Sequence, residues 1–221
     1  SMACMAAVRF EDMAPPAPGS AAPPVGRPLG ELLRQPAFAV AVLGAALGYG
    51  VMNLLMAATP LAMQVCGFGF DSAALVLEWH VIGMFAPGFF TGHLIKRLGT
   101  LQVMLIGVVL NLACVAIALS GQDIMHFTAA LFLLGVGWNF LFTGSTTLAI
   151  TAYRPEEKDR AQGAINFFVF ATMAVTSLAS GALVTTSGWS WLNMASLPPL
   201  LLTGGALLWL IVRQRRAALI G

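Results

Sequence analysis

The side chains of this sequence that could do chemistry are few, and two ionisable ones lie inside a long apolar run. Glu78 is the only carboxylate within such a run, and His80 follows two positions later. Ionisable groups at membrane depth are costly and often mark proton pathways, so both are candidates for proton coupling. Two alternatives stay open: Glu78 could reach interfacial water, and His80 could be hydrogen-bonded across a helix interface. Residues two apart do not share a helix face, so no direct pair is expected.

Uncharged polar and aromatic side chains form a second set of candidates, spread over three apolar runs. In the first run Tyr49, Asn53 and Met56 are spaced to share one helix face, which presents phenol, amide and thioether groups to an aromatic or amphipathic solute. The alternative is that the asparagines bond neighbouring helices, at about 0.6 kcal/mol each. The candidate cavity residues are Tyr49, Met52, Asn53, Met56, Trp138, Asn139, Phe142, Thr143 and Asn166.

The sequence contains no recognisable motif for catalysis or for binding a metal or cofactor. The cysteines Cys4, Cys66 and Cys114 have neither metal-binding nor redox spacing. An intramembrane serine protease would need a G-x-S-G nucleophile and a histidine on a second helix, and neither Gly144-Ser145 nor Ser180-Gly181 satisfies that pattern. We therefore expect no enzymatic activity, no cofactor and no metal site, and the small net charge of +2 gives no basic face for nucleic acid.

The elements that must position these residues are membrane helices. Of the 221 residues 58% are hydrophobic and 9% are charged, whereas a soluble domain is roughly 25% charged. Apolar runs of about 20 residues or more are long enough to cross a bilayer as helices. The sequence predicts an all-α integral membrane protein with spans at about 37–63, 72–95, 101–119, 124–153, 161–186 and 189–212. Proline is expected to kink the second span at Pro87 and the sixth at Pro198-Pro199.

The distribution of positive charge predicts the orientation of these spans. All 11 lysines and arginines fall in the two terminal segments or in the turns after the second and fourth spans. Lysine and arginine are retained on the cytoplasmic side, so both termini of this multi-pass membrane protein should be cytoplasmic. Residues 1–35, rich in proline and alanine before residue 29, are predicted to be a largely disordered cytoplasmic linker, residues 36–216 the membrane domain and 217–221 a cytoplasmic tail.

A short basic turn at 92–100 carries a resemblance to a known family. Gly92, Leu94, Arg97 and Gly99 resemble the G-x-L-x-D-R-x-G-R motif of the major facilitator superfamily, which lies between the second and third helices of each six-helix half. The segment 154–163 and the pair Gly188-Trp189 are similar to the second half of such transporters. The family's aspartate is replaced by Lys96, which puts carboxylate-centred gating by this turn in doubt.

The resemblance implies the C-terminal half of a secondary active transporter of a bacterial inner membrane. Such a half contains two inverted three-helix repeats and would pair with an N-terminal six-helix half of the same protein. It implies alternating access for a small organic solute, with the first and fourth helices lining the cavity, and proton coupling is possible. Two alternatives remain: a non-catalytic six-helix membrane scaffold and a half-size carrier that works as a homodimer.

Overall fold

The chain forms a bundle of α-helices. The computed structural model describes residues 26–220, apart from the side chain of residue 220, and all regular structure in that part is helical. The helices, numbered here in chain order, are α1 Leu29–Arg34, α2 Pro36–Val65, α3 Phe70–Phe85, α4 Gly88–Leu98, α5 Thr100–Ser120, α6 Ile124–Ile150, α7 Lys158–Thr186, α8 Gly188–Ala195 and α9 Leu197–Ile220, with a 3-10 turn at Pro155–Glu157.

The helices α2 to α9 form six membrane crossings. Five stretches are long and apolar enough to span a bilayer alone, and α3 and α4 together form a sixth, bent by 42°. The bend falls where Pro87 was expected to kink the second span, because proline lacks the amide hydrogen that would continue the helix. In the sixth crossing the helix breaks at Ser196, two residues before the proline pair, and divides into α8 and α9. Pro60 lies inside α2.

The basic turn is shorter than predicted. Residues 92–98 continue α4, and only Gly99 separates α4 from α5, with a φ of +95° that favours glycine. Lys96 and Arg97 therefore lie in the last helical turn of α4, where positive charge is favoured by the helix dipole. Gly92, Leu94 and Arg97 belong to the helix, and Gly99 alone makes the turn.

Only the last part of the predicted linker lies within the described residues. Residues 1–25 lie outside the described residues, but residues 26–35 are ordered and include α1. Leu32 is completely buried and packs in one core cluster with Phe38 of α2 and Ala161 of α7. Burial of this one large apolar side chain ties the segment to the bundle, and a count of proline and alanine does not reveal it.

Helix packing follows a pseudo-twofold pattern in which α2 and α6 are the two central helices. The α2 helix packs against α7 and α9, and α6 packs in the corresponding way against α3 and α5. When the first three crossings are matched to the last three, α2 corresponds to α6, α3 with α4 to α7, and α5 to α8 with α9. The contact of α2 with α7 then corresponds to that of α6 with α3, and the contact of α2 with α9 to that of α6 with α5. This arrangement confirms the predicted half-transporter architecture of inverted three-helix repeats. One consequence is that α6 and α7, although consecutive, pack little on each other.

Glycines bring the central helices close to their neighbours. A Cβ added at Gly48 of α2 would lie 2.6 Å from Leu141 of α6, so a larger residue at this position would require the Leu141 side chain to shift. Backbones approach closely where α3 crosses α6: a Cβ at Gly135 would lie 2.5 Å from the His80 carbonyl oxygen, and one at Gly83 would lie 2.6 Å from that of Phe132. Close backbone approach of this kind is a common basis of helix association in membranes.

Candidate solute-binding cleft

Three aromatic side chains of the predicted cavity set meet between the two central helices. The Trp138 and Phe142 rings are stacked, with centroids 5.2 Å apart and an interplanar angle of 8°. Tyr49 of α2 contacts both edge-on, at centroid distances of 5.3 and 5.5 Å. The indole N–H of Trp138 is buried and has no hydrogen-bond partner among the described residues. We call these three rings the aromatic cluster. Its apolar surface includes one hydrogen-bond donor, the Trp138 indole N–H, that has no partner among the described residues.

Phe142 also lines a polar cleft between α6 and α7. The cleft has a volume of about 150 Å³ and exists because these two helices do not pack tightly on each other. Its polar members combine hydroxyl, phenol and amide groups, and the Gln162 amide lies 3.5 Å from the Tyr153 hydroxyl. The lining residues are Phe142, Thr146, Ala149, Ile150, Tyr153, Gln162, Ile165 and Asn166. An aromatic platform next to hydrogen-bonding groups is suited to an amphipathic ring compound.

Tyr153 and Gln162 were absent from the predicted set. They bracket the charged segment 154–160, and sequence reasoning assigned that segment to solvent. The available signal was the short α6–α7 connection, which brings the last turn of one helix beside the first turn of the next. Asn166, which was predicted, lines the same cleft and is exposed.

The two central asparagines are engaged in interhelical hydrogen bonds. The Asn53 amide of α2 lies 2.9 Å from the Ser177 hydroxyl and 3.0 Å from that of Thr176, both on α7. The Asn139 amide of α6 donates to the Met84 carbonyl at 2.8 Å, and its oxygen accepts from Thr91 at 2.7 Å. Each asparagine therefore joins a central helix to a helix of the other repeat.

These contacts favour a structural role for part of the predicted cavity set. Asn53 and Asn139 are 6% and 7% exposed, and Met52 is 3% exposed within a core cluster. Met56 and Thr143 are partly exposed. For Asn53 and Asn139 the geometry matches the alternative given above, interhelical bonding, better than direct contact with a solute.

The two proton-coupling candidates lie in opposite environments. Glu78 is exposed on α3. His80 is completely buried, and its Nδ1 lies 2.7 Å from the Leu131 carbonyl of α6. A carbonyl only accepts, so Nδ1 carries the hydrogen, and Nε2 has no partner in the described part of the chain. For His80 this geometry favours the interhelical alternative.

Charged groups collect at one end of the bundle. This basic end carries the α4–α5 turn, the α6–α7 connection and the last turns of α9, and Gly99, Thr151 and Arg215 border one depression there. At the opposite end, Cys66 donates to Gln122 at 3.4 Å. Among the described residues no cluster of His, Cys, Asp or Glu could hold a metal ion.

These features define a class of protein: a membrane bundle of six crossings, built from two inverted repeats, with a polar and aromatic cleft opening between its helices. The sequence model of the Major Facilitator Superfamily matches residues 42–219. The chain belongs to the Major Facilitator Superfamily. The family membership predicted from the basic turn is confirmed.

Curated relatives place the chain more closely within the family. It is 44% identical over 173 residues, 78% of this chain, to the riboflavin transporter RfnT of Brucella anthropi. It is 31% identical over 146 residues, 65% of this chain, to the uncharacterized MFS-type transporter YdeG of Bacillus subtilis. A further Bacillus subtilis protein, the uncharacterized MFS-type transporter YddS, is 29% identical over 170 residues, 76% of this chain. The chain spans 44%, 34% and 39% of the lengths of these three relatives.

Proposed function

We propose that the chain is the C-terminal half of a secondary transporter that moves a small organic solute by alternating access. The support is the six-crossing architecture with two inverted repeats, together with matches that cover less than half of each relative. In this proposal an N-terminal six-helix half supplies the facing wall of the solute pathway. The basic end of the bundle faces the cytoplasm of a bacterial cell, in line with the retention of lysine and arginine on that side.

As the solute we propose riboflavin or a close flavin relative. The observation that carries this proposal is the aromatic cluster of Tyr49, Trp138 and Phe142 beside a cleft with amide and phenol groups. Riboflavin has a planar three-ring system with an imide edge and a hydroxylated chain, so it can stack on an aromatic face while its polar groups bond to Asn166 and Gln162. The name of the relative that is 44% identical points to the same compound.

Uptake of labelled riboflavin by cells lacking their own carrier tests this proposal on the full-length protein. Phe142→Ala removes the ring that joins the aromatic cluster to the cleft. An aromatic contact is worth about 0.5–1.5 kcal/mol, so we expect the KM to rise about twofold to tenfold at unchanged protein level. The matched control is Phe132→Ala, on the same helix but in a groove near the opposite end, where it faces Trp79. Equal KM values in the parent and Phe142→Ala would refute binding at this cleft.

The same system separates the remaining alternatives. A scaffold would show no riboflavin uptake above that of cells without the protein. A half-size homodimer would show uptake by the 221-residue chain alone, whereas the proposed half requires its N-terminal partner. Proton coupling through Glu78 remains a proposal, supported by its exposed position on α3, a broken crossing.

A further inference from the structure

An ion pair with a buried carboxylate joins two parts of the chain that are 130 residues apart. Arg27, which precedes α1, donates from Nε to Glu157 Oε1 and from Nη2 to Oε2, both at 2.7 Å. Its backbone N–H adds a third bond to Oε1 at 2.9 Å. The Glu157 side chain is completely shielded from solvent, although it lies in a turn crowded with charged residues. A bidentate arginine–carboxylate pair with such shielding is stronger and more specific than an exposed ion pair.

Neighbouring groups hold the same contact from both sides. The Arg154 backbone N–H donates to Glu157 Oε2 at 2.9 Å, and Arg27 also reaches the Ala152 carbonyl at 3.3 Å. Arg160 donates to the Arg27 carbonyl at 2.6 Å. Gly26 leaves room for this approach, because a Cβ there would lie 2.8 Å from the Glu157 side chain. The hydrogen bond to Glu157 raises the pKa of Arg27 above its usual value, so Arg27 keeps its positive charge in this contact.

We infer that residues 26–35 form a strap, clipped by Arg27 to Glu157, which fixes the connection between α6 and α7. That connection carries one wall of the cleft, because Tyr153 precedes the clipped segment and Gln162 follows it. The buried Leu32 anchors the other end of the strap. The clip therefore sets how far α7 can move relative to α6 at the basic end, where these consecutive helices pack little on each other.

The strap has a definite place in the wider molecule. In the proposed twelve-helix transporter, the segment before α2 would join the two halves, so tension on that segment would reach the cleft wall through one ion pair. This consequence rests on the proposed function. The clip itself does not, since it concerns contacts within the described residues.

Hydrogen–deuterium exchange of the purified full-length protein tests the clip without any solute. In Arg27→Gln and in Glu157→Gln, we expect amides in 152–160 and in the first turns of α7, residues 161–166, to exchange about tenfold to a hundredfold faster. Amides in the middle of α2 should be unchanged. The double variant should exchange no faster than either single variant, because both remove the same interaction. The matched control is Arg34→Gln, an exposed arginine on the strap that makes no hydrogen bond to the described residues.

Each outcome of the exchange experiment either supports or overturns the inferred strap. Unchanged exchange in 152–166 for both single variants would overturn the inference, as would equal acceleration by Arg34→Gln. If Arg27→Gln accelerates exchange everywhere through global unfolding, Arg27→Lys decides, since it keeps the charge and loses the two-pronged geometry. A local increase confined to 152–166 in that variant supports the strap, and no local increase refutes it. Because exchange is read without riboflavin, failure of the clip and failure of the proposed transport function are distinguishable.

Discussion

Replacement of Asn139 separates a structural role from a role in solute binding. Asn139→Ala removes an amide that satisfies the Met84 carbonyl and accepts from Thr91 across the break between α3 and α4. Pro87 supplies no backbone donor at this break, so the asparagine provides polar contacts that the interrupted helix lacks. The substitution therefore leaves two buried polar groups without this partner at the bend of the second crossing.

The expected loss of stability follows from these two bonds. Interhelical side-chain bonds in membranes average about 0.6 kcal/mol and reach about 1.7 kcal/mol, so two of them amount to about 1–3 kcal/mol. At about 2–4 °C per kcal/mol for a domain of this size, the unfolding midpoint should fall by about 2–12 °C. Asn166→Ala is the control, because Asn166 is exposed at the cleft and makes no hydrogen bond within the described residues.

Cys114 provides a built-in reporter for this measurement. It is 1% exposed, so a thiol-reactive fluorophore labels it only on unfolding once Cys4 and Cys66 have been replaced by serine. The midpoint of labelling on heating is compared between the parent, Asn139→Ala and Asn166→Ala. An unchanged midpoint for Asn139→Ala, combined with lost riboflavin uptake, would refute the structural assignment and return Asn139 to the solute cavity.

Two further predictions concern α3 and its crossing with α6. Glu78→Gln should abolish uptake driven by a proton gradient in membrane vesicles while leaving protein level and solute exchange without a gradient intact. Unchanged gradient-driven uptake would remove Glu78 from coupling. Gly135→Ala should destabilise the protein by about 1–3 kcal/mol, because the new methyl group would lie 2.5 Å from the His80 carbonyl and backbone must shift. Gly181→Ala, where a Cβ meets nothing within 4 Å, should unfold at the parent temperature in the same assay.

Local sequence patterns predicted the structure correctly where a single physical effect determines it. Long apolar runs identified the crossings because the bilayer requires about 20 apolar residues per helix, and Pro87 marked the bend because proline cannot donate a backbone hydrogen bond. The basic turn was predicted at the correct place along the chain, but with too many residues. Lysine and arginine tolerate the last turn of a helix, so their presence does not show where α4 ends.

The candidate site could be predicted only in part. Tyr49 was named from helix-face spacing, and Trp138 and Phe142 from the resemblance, in which the fourth helix lines the cavity. The three rings come together in the aromatic cluster. Asn53 and Asn139 were named by the same reasoning and form interhelical bonds. Spacing shows which residues share a face, but it does not show which neighbour that face meets. Whether an amide bonds a helix or faces a cleft depends on that neighbour.

The amino-acid sequence by itself determined the class of protein, the number of crossings and the family, because these depend on apolar length, charge placement and a short local motif. Only the tertiary structure decided that α7 packs on α2 and leaves a cleft beside α6, and that Arg27 is paired with Glu157. Contacts between residues more than 100 positions apart arise from helix packing. No local pattern of charge or hydrophobicity records which distant side chain will lie within 3 Å of another.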